Sequence, residues 1–77
     1  MTITPQEIAK HYTDAGDSVT LINELVALSS RNDQQVDDVR RNVEHLQIMV
    51  AKDYWTTEDL APFNAAIAAG TAVLPTE

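Results

Sequence analysis

An apolar ridge in the middle of the chain limits most strongly what this sequence can fold into. From Val36 to Val50 five apolar side chains recur alternately three and four positions apart, and the charged residues of this segment lie outside that line. This spacing keeps the apolar side chains on one side of an α-helix and is typical of helices that pack against other helices. The ridge, called the seam below, therefore predicts an all-α protein. Its members are Val36, Val39, Val43, Leu46 and Val50.

A second apolar block precedes the seam and continues its phase. When the spacing of the seam is extended towards the N-terminus, Leu25 falls on it. The polar run from Ser29 to Gln35 separates the two blocks, but it contains no glycine or proline. Two architectures follow: one long helix over 18–52, or a helical hairpin in which Asn32 or Asp33 caps a new helix. The preserved phase favours the long helix.

The second block is also too broad for an exposed helix. A helix on a protein surface carries one apolar stripe and a polar remainder. We therefore expect other helices or a partner to cover both flanks of this block. Its apolar members are Val19, Leu21, Ile22, Leu25, Val26 and Leu28.

A short helix is predicted at the N-terminal side. Thr4 and Glu7 are spaced as a capping box, and Pro5 suits the first helical position. Gly16 offers a residue that can end the helix in a left-handed conformation. The first helix is therefore predicted over about 5–15.

A last helix is predicted to start within residues 56–59, where threonines and carboxylates provide an N-cap and an acidic first turn. Leu60, Phe63 and Ile67 form its apolar stripe, and Gly70 is the expected stop. The sequence thus predicts a small helical bundle in which a short N-terminal helix and a C-terminal helix flank the long central helix or hairpin.

The size of the chain determines how such a bundle is stabilised. The 77 residues form one predicted helical domain, 1–77, whose core alone contributes only a few kcal/mol. The chain has no cysteine and its two histidines are far apart, so neither a disulfide nor a structural zinc is expected. Self-association or docking onto a protein partner is the remaining source of stability.

The charge is strongly acidic, with five Lys and Arg against twelve Asp and Glu and a formal net charge of -7. The electrostatic field of this negative charge repels phosphate backbones and anionic lipids, so direct nucleic-acid or membrane binding is not expected. No Lys or Arg follows Lys52, so a basic protein partner would be attracted to the C-terminal third. The chain lacks a signal-peptide pattern and a membrane-length apolar run, which predicts a cytoplasmic location.

Residues with catalytic or metal-binding chemistry are sparse. His11 and His45 have neither metal-ligand nor nucleophile–base spacing, and each is expected to be a solvated helix residue. Gly16 and Gly70 are the two glycines, too few for a phosphate-binding loop. The sequence therefore predicts no catalytic residue, no cofactor, no metal and no enzymatic activity.

Three aromatic residues, Tyr54, Trp55 and Phe63, are expected to gather where the central and last helices meet. Such a cluster either fills the gap between the helices or anchors a partner. The seam has the same two interpretations: burial under the flanking helices or contact with another chain. The candidate interface comprises Val36, Val39, Val43, Leu46, Val50, Tyr54 and Trp55.

Two segments resemble small uncharacterised helical proteins encoded by bacteriophages. They are residues 41–46 (RNVEHL) and residues 52–60 (KDYWTTEDL), which precede the alanine-rich end. The resemblance implies a minor virion component or an accessory protein that acts on a host target, located in the virion or the host cytoplasm. It implies no catalytic motif.

Together these features predict a non-enzymatic interaction or assembly protein that associates through the seam. The alternative is an acidic inhibitor or adaptor that occupies a basic groove of a host protein that handles nucleic acid. The alternative predicts a salt-sensitive complex, because charge attraction between exposed groups is screened by salt.

Overall fold

The computed structural model describes residues 4–75 as three α-helices joined by two turns, with no strand in that range. Helix α1 spans Pro5–Val26, α2 spans Asp33–Val50 and α3 spans Thr57–Val73. Each helix packs against both others. The predicted all-α helical bundle is therefore confirmed.

Helix α1 begins as predicted but is longer than predicted. Thr4 is the N-cap, and its hydroxyl accepts a hydrogen bond from the Glu7 backbone N–H at 3.2 Å. The helix does not end at Gly16, whose φ is not positive, so the prediction of a first helix over 5–15 is wrong. The reason is that one buried face continues past the glycine. The buried residues on this face are Ala15, Ser18, Ile22 and Leu25.

The prediction of one long central helix over 18–52 is also wrong. The chain leaves the helix after Val26, and α2 starts at Asp33 with Asn32 as its N-cap, as in the hairpin alternative. The Asn32 side chain accepts from the Gln35 backbone N–H at 2.8 Å, and the Gln35 side chain accepts from the Asn32 N–H at 2.9 Å. This reciprocal cap and the weak helix propensity of the polar run outweigh the continuity of phase.

Helix α3 begins after its N-cap Thr56, within the segment 56–59 that was predicted to start it, but continues beyond Gly70 to Val73. The prediction of a stop at Gly70 is therefore wrong. A Cβ at this position would lie 2.6 Å from Cγ2 of Val43 and 3.2 Å from Cγ2 of Ile22. Gly70 thus allows α3 to approach α1 and α2 closely, and does not end the helix.

The core lies along the axis between the three helices, and every helix contributes to it. Its largest fully buried side chains are Phe63, Ile22, Leu46 and Val39. Full burial of a side chain of this size stabilises the fold by roughly 1.5–3 kcal/mol. The buried apolar residues are Ala15, Ile22, Leu25, Val39, Val43, Leu46, Met49, Trp55, Phe63 and Ala66.

Candidate functional site

The seam faces the inside of the bundle. Val39, Val43 and Leu46 are buried, and contacts around Gly70 show that α1 and α3 cover this part of α2. Val36 and Val50, at the two ends of the seam, are half-buried. A partner would have to open the bundle to reach the middle of the seam, whereas its ends are accessible to solvent.

Trp55, the first of the two aromatic interface candidates, fills the gap between α2 and α3. Its exposed fraction is 9 %, and its indole Nε1 donates a hydrogen bond to the Met49 carbonyl at 2.6 Å. Its ring packs edge-on against Phe63 with a centroid distance of 5.3 Å, and the tilted ring of Tyr12 in α1 lies 6.2 Å away, centroid to centroid. The indole therefore joins all three helices through its own contacts.

Tyr54, the second aromatic candidate, is half-buried and connects the second turn to α1. Its hydroxyl lies 2.6 Å from Nδ1 of His11, within hydrogen-bond distance. Burial and, to a smaller extent, the charge of the Asp53 carboxylate raise the pKa of Tyr54 above its ordinary value of 10.0. The Tyr54 ring is therefore held by α1 and only partly presented to a partner.

The second histidine is also engaged inside the structure. His45 is half-buried, and its Nδ1 shares a hydrogen bond of 2.8 Å with the hydroxyl of Ser18, which is buried in α1. Both histidines were expected to be solvated, and this expectation is wrong. Local sequence patterns carried no indication of this contact, because Ser18 interrupts the apolar stripe of α1 and its partner lies 27 positions away.

The Ser18–His45 pair has the distance of a nucleophile and its base, but its surroundings do not suit acyl transfer. Ser18 lies in the interior of α1, where the backbone N–H groups are occupied by the hydrogen bonds of the helix. An oxyanion needs free donors of that kind beside the nucleophile. With an exposed fraction of only 5 %, Ser18 also has little access to a substrate. We interpret the pair as a clamp between α1 and α2.

One flank of α1 remains uncovered. The apolar block of α1 was expected to need cover on both sides, and Val19 and Val26 do pack against the core. On the other side, Leu21 and Leu28 keep exposed fractions of 36 % and 40 %. The bundle therefore covers one flank of the apolar block, as expected, and leaves the other flank exposed.

Leu21 belongs to a line of exposed residues along α1, which we call the α1 outer ridge, whereas Leu28 lies in the turn after the end of α1. The members of the ridge alternate three and four positions apart, so they share one side of the helix. Most of them are acidic. The α1 outer ridge comprises Glu7, Lys10, Asp14, Asp17, Leu21 and Glu24.

The outer face of α2 differs from that ridge. Its acidic residue Asp37 pairs with Arg41 at 2.9 Å and with Arg40 at 3.8 Å. Ile48 is the most exposed large apolar residue within residues 4–75, at 63 %, but its neighbours are polar residues and an alanine. A single exposed side chain of this kind is ordinary on protein surfaces. It lies in a shallow depression lined by Glu44, Gln47, Ala51 and Lys52.

Three observations complete the description of residues 4–75. Histidine and carboxylate side chains do not gather there in the groups of three or more that could hold a metal ion. A run of apolar residues long enough to span a bilayer is missing from all three of the described helices. Comparisons with protein-family models, curated proteins and solved structures found no match to the chain.

Proposed function

We propose that this protein is a non-enzymatic interaction module that binds a protein partner through the outside of its folded bundle. The uncovered flank of α1 is the observation that carries the proposal. Leu21 on α1 and Leu28 in the turn that follows it are exposed, although other residues of α1 are buried in the core. Apolar side chains that a folded bundle leaves exposed are a common feature of surfaces that dock onto other proteins.

The acidic charge supports an adaptor or inhibitor that occupies a basic surface. The net charge is -7, and the described ion pairs use only one carboxylate, that of Asp37. Most carboxylates thus remain available to a basic partner, whose approach they accelerate. A basic groove in a protein that handles nucleic acid has the required chemistry. The resemblance to phage-encoded proteins extends the proposal to a host target in the cytoplasm.

Capture followed by titration tests this function. The whole chain is immobilised at low salt, captured proteins are identified, and each candidate is purified and titrated against the free chain by calorimetry. We expect a saturable complex that weakens as salt rises, because exposed charge pairs are screened. A complex that is indifferent to salt contradicts the acidic adaptor, and the absence of any saturable partner contradicts the interaction function.

Self-assembly through the seam is the second candidate, and the half-buried ends Val36 and Val50 favour it. Light scattering at tens of micromolar measures the mass directly. Assembly predicts a multiple of 8.5 kDa that falls to the monomer mass in Val50→Asp. A monomer mass for the original chain contradicts self-assembly. Val43→Asp is unsuitable as a test, because a charge at that buried position unfolds the bundle.

A further inference from the structure

The turn between α1 and α2 lacks the residues that force a chain to reverse. Residues 27–32 contain neither glycine nor proline, and their backbone has no positive φ. Ala27, the C-cap of α1, still has helical backbone angles, and its N–H keeps a helical hydrogen bond to the Asn23 carbonyl. The backbone of this turn is therefore free to become helical.

The hydrogen bonds of the turn replace those that a continuous helix would make by itself. Arg31 donates to three carbonyls near the end of α1, at 3.0, 3.4 and 3.0 Å, which belong to Leu25, Val26 and Leu28. In a continuous helix the same carbonyls would accept from the backbone N–H groups four positions later. The capping box of Asn32 likewise satisfies N–H groups that such a helix would pair with carbonyls. Conversion of the turn into a helix therefore exchanges hydrogen bonds and loses few.

The buried faces of α1 and α2 are in register across the turn. Three pairs of buried residues are each separated by 21 positions, namely Ser18 and Val39, Ile22 and Val43, and Leu25 and Leu46. Three heptads return to the same side of a supercoiled helix. A helical turn would therefore join the two faces into one stripe, which would no longer be covered by its own chain.

A second copy provides the cover that an opened chain needs. The contacts His11 with Tyr54 and Ser18 with His45 show that α1 and α2 run antiparallel, with Asn32 midway between the paired positions. When two opened chains lie side by side, α1 of each meets α2 of the other through these same contacts. The core of the monomer thus already has the complementarity of the interface, and no new surface is required.

Charge near the crossing point also suits a second copy, although each chain carries -7. Arg31 of one copy comes level with Asp33 of the other, because these residues lie on either side of Asn32. A helical turn releases the Arg31 guanidinium from the carbonyls that it now satisfies, so its charge becomes available to that carboxylate. Elsewhere α1 and α2 meet as they do in the monomer and bring no additional carboxylates together.

We propose that two copies of this chain exchange their α1 helices. In the dimer, residues 27–32 are helical, and α1 of each copy packs between α2 and α3 of the other. The monomer described above is the form at low concentration, because association costs translational and rotational entropy. Exchange requires α1 to leave the core, so it takes place during refolding and is slow between folded molecules. The inference goes beyond the proposed function, and it differs from association through the ends of the seam because the exchanged helix covers the whole seam.

Refolding at two concentrations tests whether the dimer forms. The whole chain is unfolded in urea, refolded at micromolar and at millimolar concentration, and separated by size with light scattering. We expect the monomer mass of 8.5 kDa at the lower concentration and a second species of twice that mass at the higher one.

Isotope-filtered NMR then shows whether α1 is exchanged in that dimer. An equal mixture of isotope-labelled and unlabelled chain is refolded together at millimolar concentration. The Cγ2 methyl groups of Ile22 in α1 and Val43 in α2 both lie beside Gly70, so they report on which chains the two helices belong to. We expect cross-peaks between labelled and unlabelled copies of these methyl groups in the dimer fraction and none in the monomer fraction.

A matched pair of variants tests the helical turn. Ser30 is exposed, so Ser30→Ala and Ser30→Gly leave the core of the monomer unchanged. Alanine favours a helix over glycine, and the difference counts once in each copy of the dimer. We expect a dimer dissociation constant at least about tenfold lower in Ser30→Ala than in Ser30→Gly.

Three results overturn the exchange. They are equal dissociation constants in the two variants, a dimer without cross-peaks between labelled and unlabelled chains, and a monomer mass for Ser30→Ala after refolding at millimolar concentration. The capture of a protein partner is measured on the folded monomer, so these results leave the proposed interaction function intact.

Discussion

The two turns of the bundle use the same hydrogen-bonding scheme with different side chains. In each turn, the residue before the N-cap donates to carbonyls at the end of the preceding helix. Arg31 lies 3.0 Å from the Leu25 and Leu28 carbonyls, and Trp55 lies 2.6 Å from the Met49 carbonyl. A capping box then starts the next helix in both cases.

The difference lies in what else each side chain contacts. The Trp55 ring is buried between helices, and the neighbouring Tyr54 reaches His11 of α1. Arg31 is half-buried, and its described hydrogen bonds go to residues no more than six positions away. The comparison teaches that one turn is part of the core, whereas the other is a local cap. The first turn should therefore open at a lower free energy than the second.

Trp55→Ala should break the second turn and with it the fold. Loss of a buried aromatic side chain destabilises by about 3–5 kcal/mol, which is comparable to the whole stability of a small domain. Urea unfolding followed by circular dichroism measures the effect. Trp55→Phe, which keeps a ring but loses the N–H donor, should be destabilised by roughly 1–2 kcal/mol. Equal stability of Trp55→Ala and the original chain contradicts the role of the indole.

Arg31→Met should weaken only the first turn. The substitution keeps most of the apolar stem and removes the donors that satisfy the end of α1, at a cost of about 1 kcal/mol. Hydrogen exchange followed by mass spectrometry should show faster exchange near residues 26–33 and unchanged exchange near residues 51–57. A loss of stability as large as that of Trp55→Ala would remove the distinction between the two turns.

Asn32→Ala and Thr56→Ala test the capping boxes, which both turns have in common. Each removes the side-chain acceptor of a capping box, so each should destabilise by about 1 kcal/mol. Thermal unfolding of the two variants provides a matched pair. A clear difference between them would show that the surroundings of a turn alter the value of its cap.

Alkaline pH should act on the second turn through Tyr54, with the smallest effect of the series. The pKa of Tyr54 is raised in the folded state, so folding favours the neutral phenol. This contribution is fully present below the unfolded pKa of about 10 and is lost as pH rises through the folded value. Unfolding midpoints measured across this range should fall less in Tyr54→Phe than in the original chain. An identical decline in both proteins contradicts the shift.

Much of the fold follows from local sequence signals. Thr4 was identified as a cap, the start of the last helix was placed within residues 56–59, and the seam predicted the buried face of α2. The long central helix was wrong because two signals competed over the polar run: continuity of phase and the cap at Asn32. Phase describes which side of a helix is apolar, whereas the cap satisfies specific backbone donors, and here the cap determined the structure.

The candidate site was less accessible to sequence reasoning. The seam and the aromatic pair were proposed as interface, yet most of these side chains lie in the core, because an apolar helix face has the same pattern in both roles. Tertiary pairs such as Ser18 with His45 carry no local signal. The breadth of the apolar block in α1 was the one indication of the exposed ridge, since it exceeded what two neighbouring helices cover.

Gly70 has a further consequence for how the gene tolerates change. Any missense mutation of a glycine codon adds a Cβ, and at this position that atom would meet Val43 at 2.6 Å. Even alanine at position 70 therefore requires the Val43 side chain or the helix backbones to shift, which costs stability. A Cβ at Gly16 meets nothing within 4 Å, so alanine there improves helix propensity without a clash. Among folded variants of this chain, we expect position 16 to accept other residues and position 70 to remain glycine.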